Sequence, residues 1–103
     1  MVVTLLNLPP NAPTGLTAST NSDGATVLSW NAPVPADPDS GDSIAFYRIY
    51  RDGTAVDNRY DRTALVGQTT YVDGRNGGTQ HTYWVTAVDT QLAESVALGP
   101  VTR

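Results

Sequence analysis

Any histidine-dependent chemistry in this chain would turn on one residue, because His81 is its only histidine. A Ser–His–Asp hydrolase would need that ring beside a serine and a pair of oxyanion donors. Its place at the head of a strand-like run fits a structural corner rather than a pocket. Zinc requires three or four nitrogen or sulfur ligands, which one His and no Cys do not supply. Asp57 and Asp61 are a carboxylate pair of the kind sugar hydrolysis uses. That chemistry needs two acids facing each other across a cleft, with pKa values driven apart, and in a polar loop the pair reads as solvated charge. Asp37, Asp39 and Asp42 surround Gly41 much as acids open a calcium loop. An EF-hand wants Gly at its sixth position and a bidentate Glu at its twelfth. Here Gly41 is fifth from Asp37 and the twelfth residue is Arg48, so a long polar loop is the preferred reading and weak calcium binding the alternative. No P-loop, G-x-G-x-x-G or H-E-x-x-H is present. The expectation is a chain with no catalytic residue, no metal site and no cofactor.

Recognition motifs are equally sparse. Arg51-Asp-Gly53 and Asp73-Gly-Arg75 hold the residues of an Arg-Gly-Asp tripeptide in other orders, and both read as turns. There is no Asn-x-Ser/Thr acceptor for a glycan.

The elements that would position these groups are bounded by size and charge. A chain of 103 residues has room for one core and one domain. Ten acids against six bases give a net charge of −4, and with no Lys every side-chain cation is an Arg. Such a surface repels phosphate backbones and anionic lipid, which argues against nucleic-acid binding and membrane insertion. The apolar start, Met1 to Leu8, lacks a basic n-region and ends at Pro9-Pro10, too soon for a signal sequence or a span. Residues 1–9 are expected to be a linker or an extra N-terminal strand, preceding a domain over 10–103. The chain is then read as a piece of a longer protein, with a short native protein as the other possibility.

Turn signals recur at short intervals: Pro9-Pro10, Asp23-Gly24, Pro33 to Gly41, Asp52-Gly53, Gly67, Asp73 to Gly78 and Gly99-Pro100. Between them lie runs rich in Thr, Val, Ile, Tyr and Trp, the pattern of an all-β domain. Period-two reading predicts strands over 26–30, with Leu28 and Trp30 on one face, over 47–51, and over 81–89, with His81, Tyr83, Val85 and Ala87 on one face. Shorter strands are expected at 15–18, 64–66, 70–72 and 96–101. Seven antiparallel strands in two sheets, an immunoglobulin-like β-sandwich, bury the apolar faces most economically.

The motifs Pro10-Asn-Ala-Pro-Thr-Gly-Leu-Thr-Ala18, Val27-Leu-Ser-Trp30 with Ala32-Pro33, Tyr47-Arg-Ile-Tyr-Arg-Asp-Gly53, Thr70-Tyr-Val-Asp73 and Tyr83-Trp-Val-Thr-Ala-Val-Asp89 resemble a bacterial fibronectin type III domain, in the family's order over 10–103. The resemblance implies that Trp30 is the core tryptophan of strand B and Tyr47 the core tyrosine of strand C. It also implies a non-catalytic module of a larger secreted or cell-surface protein, extracellular and monomeric in isolation. Such a module acts as spacer, scaffold or protein-interaction surface, its partners adjacent modules or a separate protein. The alternative is a glycan-binding accessory module of a carbohydrate-active protein.

The chain departs from the family at one place. Such domains carry a Tyr at the start of strand F, six residues after a Leu; here those positions are His81 and Arg75. The preferred reading gives the corner to His81, on the argument that handing it to Tyr83 shifts the register and turns Val85 and Ala87 outward. If Tyr47, Ile49, Tyr83 and Val85 face the core, then Phe46, Arg48, Tyr50 and Trp84 face out from neighbouring strands. These four form the candidate interaction face. Aromatic rings with Arg suit a protein interface or a sugar face, and cross-strand ring pairs also serve simply to stabilise a sheet.

Overall fold

Apolar residues at alternate positions build the domain. A computed structural model describes residues 8–37, 43–65, 67–74 and 79–103. Its strands are β1 (Thr14–Thr20), β2 (Thr26–Asn31), β3 (Ile44–Arg51), β4 (Arg59–Arg62), β5 (Thr70–Asp73), β6 (Thr82–Asp89) and β7 (Leu98–Thr102), with one 3₁₀ turn at Val56–Asn58. They form two antiparallel sheets, one of three strands in the order β1-β2-β5 and one of four in the order β4-β3-β6-β7. The fold is the seven-stranded sandwich that the turn spacing predicts.

The core lies between the sheets. Leu28 and Trp30 of β2 meet Tyr47 and Ile49 of β3 and Tyr83, Val85 and Ala87 of β6, with Tyr71 of β5 at the margin. Trp30 packs edge-on against Tyr47, ring centroids 5.4 Å apart, a geometry that aromatic quadrupoles favour. Both residues are buried, as the resemblance implies.

Several boundaries move. β1 runs longer than 15–18, β6 begins at Thr82, and β7 starts at Leu98. The strand expected at 64–66 is not seen: Ala64 and Leu65 are exposed outside the sheets and Val66 lies outside the described residues. The fourth strand is instead Arg59–Arg62. As an edge strand it needs little apolar content. Tyr60 alone packs towards the core, and a bulge opposite Ile49 and Tyr50 lets the charged residues on either side of it find partners.

The chain enters and leaves at opposite ends. Asn11 ties the entry to the loop after β2, its backbone N–H donating to Ala36 O and its amide to Pro35 O. At the other end Arg103 exchanges backbone hydrogen bonds with His81 and donates through Nε to Thr20 Oγ1, where β1 finishes.

Candidate interaction face on the four-stranded sheet

On the outer side of β3 and β6 the even-numbered residues are displayed, as alternation requires, except Ile44, which faces the core because the register shifts between it and Phe46. Phe46, Arg48 and Tyr50 lie on β3, and Tyr50 stands directly opposite Trp84 of β6. The structure therefore brings the four candidate residues onto one side of one sheet. Their exposure differs from the expectation of an open aromatic platform: Phe46 is 8% and Tyr50 4% exposed, and Trp84 is half-buried. Phe46 lies beneath two guanidiniums, those of Arg62 and Arg48, at 4.8 and 5.5 Å from its ring centroid, within cation–π range. The indole of Trp84 lies so near Gly99 of β7 that a Cβ there would come within 2.9 Å of its Cδ1. What this face presents to solvent is guanidinium, rather than bare rings.

The residue that organises the face is Glu94, the chain's only glutamate. Residues 93–95 pair alongside β6, with Glu94 opposite Val88, and Asp89 fixes their approach by accepting from the N–H groups of Gln91 and Ala93. From there the carboxylate reaches across the sheet. Oε2 accepts from Thr86 Oγ1 at 2.6 Å and Tyr50 Oη at 2.5 Å, while Oε1 accepts from Arg48 at 3.2 Å and Arg59 at 3.3 Å. Partial burial pushes the carboxyl up, but the two hydroxyls and the two guanidiniums outweigh it and hold it below the usual carboxylate range. Sequence reasoning missed Glu94, Arg59 and Arg62. The signal available for Glu94 was only its being a lone Glu among aspartates.

The corner belongs to Tyr83. Its hydroxyl donates to Asp73 Oδ2 at 2.6 Å inside the core, and burial together with that hydrogen bond pushes it up to about 12. Tyr60 donates to the other carboxylate oxygen at 2.7 Å and Arg51 pairs with Oδ2 at 3.0 Å, so the buried Asp73 joins the two sheets. The assignment to His81 is thereby overturned. Tyr83 is two residues beyond His81 and shares its face, so Val85 and Ala87 stay in the core and no register shift is required.

His81 instead sits at the rim. Its Nδ1 lies 2.8 Å from Asp52 Oδ2 and its Nε2 lies 3.0 Å from Thr79 Oγ1, the order of a hydroxyl–imidazole–carboxylate relay. The amides of His81 and Thr82 are committed, to Arg103 O and Asp52 Oδ1, so they offer no oxyanion hole. The pairing closes the β3–β6 end of the sheet, where Asp52 has a φ of 65°. Of the carboxylate pair, Asp57 is exposed in the 3₁₀ turn. Asp61, expected to be solvated in a loop, belongs to β4 and accepts from Tyr71 Oη at 2.8 Å. In the acidic loop, Asp39, Gly41 and Asp42 lie outside the described residues. Among the described residues no group of three His, Cys, Asp or Glu is placed to hold a metal ion, and no helix is long and apolar enough to cross a membrane.

No protein-family model matches the chain. Comparison with solved structures finds an Fn3-like protein from Clostridium thermocellum, 27% identical, with a TM-score of 0.63 and 92% of each chain covered. The chain has a fibronectin type III-like fold. Pectate lyase PelI from Erwinia chrysanthemi, solved in complex with tetragalacturonic acid, contains a similar region: 26% identity and a TM-score of 0.56 over 92% of this chain and 28% of that one. Among curated proteins the domain is similar to chitinase Chi52 of Paenibacillus xylanexedens, 37% identical over 67 residues. That match takes in 61% of this chain and 12% of the chitinase, so the domain corresponds to a small part of its relative's length.

Proposed function

We infer that this fibronectin type III-like domain is a non-catalytic accessory module of a larger extracellular protein that acts on polysaccharide, spanning 10–103 and holding its neighbours in series. The observation that carries this reading is the similarity to a short portion of a chitinase. The chain's path supports it: entry is pinned at Asn11 and exit at Arg103, at opposite ends of the sandwich. Adjacent modules are its first partners, and its net charge of −4 favours a monomer in isolation. Glycan contact by ring stacking receives no support at Phe46 and Tyr50, whose rings are covered.

The test uses the full-length parent. Residues 10–103 are deleted, or replaced by a flexible Gly/Ser linker, and hydrolysis of insoluble polysaccharide is compared with hydrolysis of a soluble oligosaccharide. The expected result is reduced activity on the insoluble substrate with both variants and unchanged activity on the soluble one. Equal loss on both substrates, or full activity with the flexible linker, would overturn the reading.

A further inference from the structure

Charge is distributed unevenly over this acidic domain. Alternation places Arg48, Arg59 and Arg62 on the outer side of β3 and β4, since Arg62 stands opposite Arg48, and Arg59 opposite Tyr50. Asp61 goes the other way: it stands opposite core-facing Ile49 and gives its carboxylate to Tyr71 of the other sheet. This sheet edge therefore carries three guanidiniums against two carboxylates, Glu94 on its outer side and Asp61 at the margin of the cleft, a local excess of positive charge on a chain whose net charge is −4. A shallow cleft of about 230 Å³ runs between them, lined by Arg48, Arg59, Tyr60, Asp61 and Arg62.

The guanidiniums are held in place with donors to spare. Arg62 and Arg48 stack on Phe46, and Arg59 is fixed by Nε to Tyr50 Oη at 3.1 Å and Nη2 to Glu94. Each guanidinium has five N–H donors in a planar fork. Arg48 gives one of them to Glu94, and Arg59 gives two to named acceptors. Among the described residues Arg62's guanidinium meets the Phe46 ring rather than a carboxylate. Planar forks that are already ordered bind carboxylates in pairs of parallel hydrogen bonds, with little entropy left to lose.

We propose that the Arg48–Arg59–Arg62 cleft binds an acidic polysaccharide, its occupant being the carboxylate of a uronic acid residue. Charge complementarity selects the carboxylate. The choice of a sugar polymer rests on the proposed role in a polysaccharide-acting protein.

The experiment runs the 103-residue chain through native gels containing polygalacturonate, neutral dextran or poly-glutamate. Expected is retardation by polygalacturonate at low salt, disappearing near 0.5 M salt as exposed ion pairs are screened. Arg59→Gln/Arg62→Gln should weaken retention by roughly tenfold, the scale of losing charge-assisted hydrogen bonds, with the NMR spectrum of a folded domain retained. Arg103→Gln, just past β7 at the opposite edge of the sheet, should leave retention intact. A second readout by NMR should place the polygalacturonate-induced shifts at β3 and β4. Equal mobility in polygalacturonate and dextran, or shifts confined to other strands, would overturn the proposal. Equal or stronger retardation by poly-glutamate would overturn the sugar as occupant and point to an acidic peptide. A domain that ignores polygalacturonate while its deletion still impairs the parent on insoluble substrate would sink this cleft alone and leave the accessory role standing.

Discussion

At the scale of single residues, the most consequential side chain is Tyr83, whose phenol donates to a carboxylate that shares the core with it. A raised pKa is also a statement about stability. The unfolded chain releases this proton near pH 10, whereas the folded one holds it until about 12. Above pH 10 the unfolded state therefore binds fewer protons, and stability falls as pH rises. The contribution is intact below pH 10 and is lost progressively towards 12, up to roughly 2 to 3 kcal/mol for a shift of this size. Burial raises Tyr47 as well, in the same sense, so the measurement that isolates Tyr83 is a difference. Urea unfolding of the wild type and Tyr83→Phe between pH 8 and 11.5 should show the variant about 1 to 3 kcal/mol less stable at pH 8, because Asp73 loses a donor, with the gap closing above pH 10. A gap constant with pH would mean that the phenol is not held protonated by the fold.

At the scale of elements, residues 93–95 are held beside β6 by backbone pairing and anchored across the sheet by Glu94. The carboxyl lies below its usual range in the folded state and near 4.3 when unfolded. Its contribution is therefore full above about pH 4 to 5 and lost as pH falls through the folded value. Glu94→Gln keeps the shape but not the charge, so it should be less stable than wild type at pH 7, and the difference in denaturation midpoint should shrink between pH 5 and pH 3. A difference that stays constant over that range would assign Glu94 a packing role only. The same brace shows what the sequence could and could not reveal. β2, β3 and β6 were legible because their core residues fall at alternate positions, as at Leu28 and Trp30 or at Tyr83, Val85 and Ala87. The partners of Glu94 lie 8, 35, 44 and 46 residues away, separations that no local pattern encodes. β4 was hidden for a related reason. Arg-Tyr-Asp-Arg reads as loop, and only the bulge opposite β3 and the distant Phe46, Glu94 and Tyr71 make it a strand. The covered platform follows from both omissions: alternation aimed Phe46 and Tyr50 outward, while Arg62 over Phe46 and Arg59 on Tyr50 came from β4, which periodicity did not find.

At the scale of the whole molecule, the proposed role of holding neighbours in series requires a fixed length, which β1 measures. Thr14 begins β1 beside the entry, and Thr20 ends it beside Arg103. Six steps of about 3.3 Å separate them, so the two ends of the domain stand roughly 20 Å apart. The tie between sheets, with Asp73 of β5 accepting from Tyr83 of β6 and Tyr60 of β4, resists shearing of one layer past the other and keeps that distance fixed. With no native cysteine, spin labels at Thr14→Cys and Thr102→Cys, both exposed positions, report the separation without competing sites. Dipolar spectroscopy should give one narrow distribution centred at roughly 20 to 30 Å once label length is added, unchanged when the flanking modules of the parent are present. A distribution as broad as that of a flexible linker, or one that moves when neighbours are attached, would show a hinge where a strut is expected. In that case the domain could not set the distance between the modules on either side of it.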